Sequence, residues 1–325
     1  MADSNLEAFP PGGIPLLHDR ITLPVLSRMK AQGEAIAALS IYDACHARLF
    51  DRAGGEMIIV GDSAAMTIQG EPNTKCMSMD EMLIYTRSVR NGTKRLFVVG
   101  DMPLGSYEVS NQEAVRNAAR FMRETDCNAV KIETNRAYLE RIAAVANFCP
   151  VIMHAGLNPN KAEMLGGYRT YGKTAESVRE LCEVVVEGER AGACMILLES
   201  VTEEVSQRVK KLVDIPVLGI AGGRGLDGQL LISYDLLDLY EWPGNRTPRH
   251  FKAYRAAGEG LTAGGFILNA YQWYVKAVKA GEFPEDAHAH HLPDVDLPKV
   301  EEYFRNLVRL RSELSAPPTL PANVN

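Results

Sequence analysis

Five acidic residues in this chain follow or close hydrophobic runs. Asp43 follows AIAALSIY, Asp62 follows MIIVG, Asp101 follows RLFVVG, Glu133 ends NAVKIE and Glu199 ends CMILLE. Lys131 and His154 join them from NAVK and PVIMH. A carboxylate closing one apolar strand constrains little. The same placement on strand after strand calls for a fold that gathers strand ends at one rim. A parallel β-barrel does this, and catalytic residues in such barrels come from the C-terminal ends of several strands.

The rest of the chain keeps that rhythm. Short β-rich runs fall near 35–41, 57–61, 95–100, 128–133, 150–154, 194–199, 216–220 and 229–233, with helical patterns between most of them. LPVLSRMKAQG (23–33) reads as a short helix stopped by Gly33. The helical run 111–126 has Ser110 and Glu113 at capping-box spacing, and the run 174–192 has Thr174 as its cap. Residues 202–214 read as a further helix. Eight strands alternating with helices predict an α/β fold of the (β/α)8 barrel type, with an N-terminal helix and extra C-terminal helices. An open doubly wound sheet would carry a glycine-rich phosphate turn after its first strand, but IYDACHAR has no glycine. GGRGLDG (222–228) does not fit GxGxxG and lies late in the chain.

We expect one domain over 1–325: the barrel over about 22–262, a helical extension over about 263–314 and a disordered tail over about 315–325. Residues 1–20 read as a loose arm. The net charge of −6 and the lack of a basic stripe argue against nucleic acid as a partner. No apolar run approaches the ~20 residues that span a bilayer, and MADSNLEAFPPGG is not a secretory signal. The six cysteines form no CxxC pair and read as buried reduced thiols.

Several carboxylates at one rim repel each other unless a cation lies between them, and hard oxygen ligands favour magnesium or manganese. Asp62 and Asp101 each follow a glycine at a strand end (VGDS, VGDM) and read as metal ligands. Lys131 and Glu133 lie two apart on one strand, so both face the barrel interior. Burying that pair is costly unless a metal near Glu133 and an anionic substrate near Lys131 serve as partners. His154 ends the fifth strand. Glu199 ends the sixth, where it reads as a general base or as a cap for the next helix. Asp43 reads as a helix cap or a substrate contact. HAHH (288–291) lacks ligands spaced for zinc and is not taken as a metal site. A metal held by Asp62 and Asp101 would chelate a 2-oxo acid and acidify its C3 hydrogen. The resulting enolate attacks an electrophile; in reverse the same site cleaves a C–C bond.

These residues lie within longer motifs: IYDACHARLFDRAGGEMIIVGDS, VVGDMPLGSYE, AVKIE, MHAGLNPN, LGGYRTYGKT, LLES, DGQLLISYDLLDL and VKAVKAGEFPEDAH. In sequence and order they resemble the ketopantoate hydroxymethyltransferase family of the phosphoenolpyruvate/pyruvate barrel superfamily, over about residues 22–288. The resemblance implies that Asp62 and Asp101 bind magnesium directly and that Glu133 does so through water. It implies that Ser63 and Lys131 bind the oxo acid, that Glu199 is the C3 base and that His154 lines the pocket. It further implies 5,10-methylenetetrahydrofolate as co-substrate, 3-methyl-2-oxobutanoate or a close analogue as acceptor, a step in pantothenate biosynthesis, and a cytoplasmic homo-oligomer, often a decamer. A metal-dependent 2-oxo acid C–C or C–P lyase or hydrolase of the same superfamily is the alternative.

The chain also departs from the family pattern. GDSAAMT replaces GDSLGMV through Ala64 and Ala65, and Tyr85 and Tyr234 replace histidines. Tyr171 replaces a glutamine, and GIAGG (219–223), followed by Arg224, replaces GIGAG. These changes predict an altered pocket wall around a retained metal and base set.

Overall fold

The computed structural model describes residues 20–163, 166–240, 252–254 and 262–315, with the side chains of 309–315 excepted. The strands are β1 (Ile36–Ser40), β2 (Met57–Val60), β3 (Phe97–Asp101), β4 (Ala129–Glu133), β5 (Val151–Gly156), β6 (Met195–Glu199), β7 (Val217–Ile220) and β8 (Gly228–Ile232). All eight are parallel and pair in sequence order, with β8 closing onto β1. The expected (β/α)8 barrel is therefore present.

The helices of the described residues run α1 (Leu23–Gln32), α2 (Ala44–Arg52), α3 (Ala64–Thr67), α4 (Met79–Gly92), α5 (Asn111–Thr125) and α6 (Leu139–Ala146). They continue with α7 (Ala175–Arg190), α8 (Glu203–Leu212), α9 (Ser233–Leu236), α10 (Ala263–Ala280) and α11 (Leu297–Ser315). Their ends follow local chemistry. Gly33 takes the left-handed conformation that stops α1, at φ 68°. Ser110 accepts the Glu113 amide at the start of α5, and Thr174 forms a capping box with Ser177 at α7. Asp43 accepts the amides of Cys45 and His46, so it is the cap of α2, not a substrate contact.

Most strand residues are buried, as expected for a sheet covered on both faces. Phe50 of α2, Phe121 of α5 and Tyr274 of α10 are sealed in the helical layer. Each contributes roughly 1.5–3 kcal/mol from burial of its apolar surface. Tyr274 also directs its hydroxyl at the carbonyls of Ala38 and Gln229, 2.9 Å from each. That contact ties α10 across the β1–β8 seam. The C-terminal helices thus pack on the outside of the barrel, α10 against α2 and β1, and α11 against α7. A helical stretch that the sequence pattern also suggests near 251–261, the N-terminal arm and the tail lie outside the described residues, save for residue 20, 252–254 and 315.

Cys127, Cys149 and Cys182 are buried free thiols, but Cys45 and Cys76 are exposed. That corrects the expectation of uniform burial: both sit on loop or helix-start segments outside the barrel wall. No helix of the described residues is long and apolar enough to cross a membrane.

Candidate active site

The C-terminal ends of the strands surround a cavity of about 550 Å³. Its lining includes Ser40, Asp101, Lys131, Glu133, His154 and Glu199. Side chains alternate along a strand, so Lys131 and Glu133 share the inward face. Asp62 and Ser63 enter from the turn after β2. All seven site residues named from the sequence therefore meet in one cavity. Asp43, the eighth polar position at a strand end, does not line it.

Inside, the polar groups form a chain. Lys131 Nζ lies 2.8 Å from Asp101 Oδ1 and 3.1 Å from His154 Nδ1. An ammonium only donates, so His154 Nδ1 accepts and the imidazole is neutral, with its proton on Nε2. Burial, reinforced by the Lys131 ammonium, holds the His154 pKa below its ordinary value. His154 Nε2 stands 3.0 Å from Glu199 Oε2, but its N–H is not aligned as a hydrogen bond, so the contact is electrostatic. On the other side, Asp101 Oδ2 accepts the Asp62 backbone N–H at 3.1 Å. Asn160 donates its amide to Asp62 Oδ2 at 2.7 Å and accepts from Thr74 Oγ1 at 2.6 Å. Ser63 Oγ lies 2.9 Å from the Tyr42 hydroxyl.

The charges do not balance. Burial, then the Asp101 charge, pushes the Asp62 carboxyl up to about 7. Burial, then Asp62, pushes Glu133 well above the usual carboxylate range. Burial alone would lower Lys131, but Asp101, Asp62 and Glu133 together raise it above the ordinary lysine value. One ammonium cannot neutralise three buried carboxylates. Glu133 Oε2 has no hydrogen-bond partner, although Asn160 N–H reaches Oε1 at 3.4 Å. A buried carboxylate oxygen without a partner beside two further carboxylates fits a divalent cation.

Among the described residues, no three His, Cys, Asp or Glu side chains stand together in metal-holding geometry. Asp62, Asp101 and Glu133 are the carboxylates of this cavity that could hold a divalent cation.

Glu199 reaches the cavity with its side chain 20% exposed, beside the otherwise sealed network. It does not cap the next helix, since Thr202 holds that position in α8. Sequence reasoning missed Asn160, Thr74, Tyr168 and His290, all on loops or turns except where a 3₁₀ turn carries Asn160. Thr74, Tyr168 and His290 line the cavity. MHAGLNPN did contain Asn160, and its two asparagines were the available signal.

The expected change in the pocket wall is narrower than the sequence departures suggested. Of the departures named above, only Ala221 lines this cavity among the described residues. Ala64 and Ala65 are buried behind it. Tyr234 stacks on His46, and Arg224 pairs with Glu203 and Asp286. Tyr171 faces a neighbouring cavity. Apart from Ala221, these departures lie around the site and not in its wall.

Comparison with known proteins agrees with this geometry. The ketopantoate hydroxymethyltransferase family model matches residues 20–286. The 3-methyl-2-oxobutanoate hydroxymethyltransferase of Geobacillus thermodenitrificans (strain NG80-2) is 39% identical over 262 residues, covering 80% of this chain and 91% of that protein. The Clostridium beijerinckii protein of the same name is 34% identical, covering 86% of this chain and 98% of its own length. Among solved structures, a putative lyase/mutase from Burkholderia cenocepacia J2315 shares the fold with a TM-score of 0.51 at 15% identity, over 92% of this chain and 97% of that one. With matching sequence along most of its length and the barrel fold in place, the chain belongs to the ketopantoate hydroxymethyltransferase family.

Proposed function

We propose that this protein transfers a hydroxymethyl group to 3-methyl-2-oxobutanoate or a close analogue, with 5,10-methylenetetrahydrofolate as donor and magnesium as cofactor. Family membership supports the transfer chemistry. The observation that carries the residue roles is Glu199, a partly exposed carboxylate facing a sealed cluster of carboxylates and one ammonium.

Asp62 and Asp101 would hold the magnesium, with Glu133 acting through water, and the bound ion would supply Lewis-acid polarisation of the oxo acid's keto group. Lys131 and Ser63 bind and orient the oxo acid's carboxylate and keto oxygens. Neutral His154 holds Lys131 in line through Nδ1 and presents its Nε2–H to the cavity. Glu199 removes the C3 proton, and the electron pair moves onto the keto oxygen. C3 then forms a bond to the donor's one-carbon unit, whose two bonds to the folate nitrogens break, so that tetrahydrofolate leaves. Over the whole reaction, oxo acid, methylenetetrahydrofolate and water give hydroxymethylated oxo acid and tetrahydrofolate. Water supplies the new hydroxyl, and Glu199 carries the proton.

The test is exchange of the C3 hydrogen of 3-methyl-2-oxobutanoate in deuterated water, followed by NMR with magnesium and no donor. Wild type should exchange and Glu199→Gln should not. Exchange retained in Glu199→Gln would remove Glu199 as base. Exchange only with another 2-oxo acid would reassign the acceptor. Donor-independent fragmentation of the oxo acid would favour the lyase alternative.

A further inference from the structure

A second cavity, of about 560 Å³, lies beside the first. It is walled by the ends of β4 and β5 on one side and by the first turns of α7 on the other. The Arg169–Thr170 segment lines both cavities, so the two share one partition. None of the groups assigned above to metal binding or proton transfer lines the second cavity.

Its charge is distinctive. Lys161, Arg169 and Lys173 line it against a single carboxylate, Glu180. None of the three cations makes an ion pair among the described residues. Lys161 Nζ is buried with no hydrogen-bond partner among the described residues; the Tyr138 ring lies 3.7 Å away at its centroid, and the charges of Glu133 and Glu108 favour the ammonium from farther off. A buried ammonium with its donors unused is costly unless a ligand completes it. Tyr171 adds an aromatic wall, and Asn158 contacts the His154 carbonyl at 3.4 Å from the same side.

We propose that this cavity binds the anionic tail of the one-carbon donor, the aminobenzoyl group with its glutamate carboxylates. The inference rests on the reading of a reduced-folate donor. In this arrangement the one-carbon end sits in the barrel cavity, the tail crosses the Arg169–Thr170 partition, and Lys161 and Lys173 receive the carboxylates. The aminobenzoyl ring lies near Tyr171. The departure at Tyr171 therefore alters donor binding and leaves the oxo acid site unchanged.

The test uses the full chain with Lys173→Gln, an exposed and structurally tolerant change, and Lys161→Met, which keeps the aliphatic stem over Tyr138. Thermal melting checks that each variant folds. Calorimetry measures binding of tetrahydrofolate carrying one or three glutamates, and donor KM is measured for the matching methylenetetrahydrofolates. C3 exchange, which needs no donor, should stay within about twofold of wild type in Lys173→Gln, whose side chain is exposed and does not line the barrel cavity. Donor Kd and KM should rise about tenfold per lost charge-assisted contact. The triglutamate should suffer more than the monoglutamate, and free triglutamate should compete with the donor for wild type.

Unchanged donor Kd in both folded variants overturns the proposal. So does failure of wild type to bind either tetrahydrofolate while C3 exchange proceeds. Loss of C3 exchange in wild type would instead strike the proposed function, and the calorimetric result would still decide the cavity's role.

Discussion

Lys131 Nζ sits 2.8 Å from Asp101 Oδ1, with the two side chains 6% and 2% exposed. A pair this dry does not stabilise a barrel by itself, because desolvation offsets the attraction. Removing one partner is a different matter. Lys131→Met leaves Asp101, Asp62 and Glu133 together without their nearest cation. The expected loss is about 3–5 kcal/mol, read as a shift in urea midpoint. Magnesium should restore more stability to this variant than it adds to wild type, since it replaces the missing positive charge. Equal magnesium stabilisation in both proteins would show that Lys131 and the cation answer to different carboxylates.

The pH dependence follows from the raised carboxyls. Asp62 titrates at about 7 in the folded protein, against about 3.9 in an unfolded chain. Between those values the folded state holds the extra proton, so the contribution of Asp62 to stability falls as pH rises. Glu133 is shifted in the same direction. Magnesium needs the ionised carboxylates, so its effect runs the other way. The magnesium-induced rise in Tm should be small at pH 5.5 and several degrees larger at pH 8, by differential scanning fluorimetry. A magnesium shift that is the same at both values would mean that these carboxylates are not the ligands.

Asn160 holds Asp62 from behind while Thr74 holds Asn160. Loss of such an outer partner typically weakens metal binding about 10–100-fold. Asn160→Ala should therefore raise the calorimetric Kd for magnesium or manganese by that factor. Asn160→Asp should do worse, since it replaces the amide donor with another carboxylate facing Asp62. Wild-type affinity in Asn160→Ala would mean that Asp62 is positioned by its own turn alone.

The eight strands and most helices were legible because their signals are local. Runs such as MIIV and FVVG have the β-rich, apolar character of strands, and Ser110 and Thr174 mark helix starts. Asp101, Lys131, Glu133, His154 and Glu199 were legible for a related reason: their place on a strand fixes the face they occupy. Asp43 shows the limit of that rule, since a residue three positions beyond the end of a strand can turn away and cap the following helix. Tyr168 and His290 were not legible, because no periodicity ties a loop residue to a barrel axis. The second cavity was hidden for the same reason. Lys161 and Lys173 are twelve positions apart and meet only because the chain returns from β5 to the start of α7.

A final prediction concerns the shell that holds the rim in place. Gly92 ends α4 where that helix crosses the start of α2. A Cβ added there would stand 2.4 Å from the Ala44 carbonyl oxygen and 2.7 Å from its Cα. Alanine is intrinsically better than glycine in a helix by about 1 kcal/mol, and less at a helix end. The clash should win, because backbone cannot step aside as a flexible side chain can, and overpacking typically costs about 1–3 kcal/mol. Gly92→Ala should therefore lower the urea midpoint by an amount matching about 1–2 kcal/mol. Gly188→Ala makes the contrasting case, since its added Cβ would meet mainly the Met153 thioether, 2.2 Å from Sδ. Methionine adapts to irregular space, so this variant should lose less stability than Gly92→Ala. The reverse order would mean that the α2–α4 crossing yields more readily than the packing of α7 on β5.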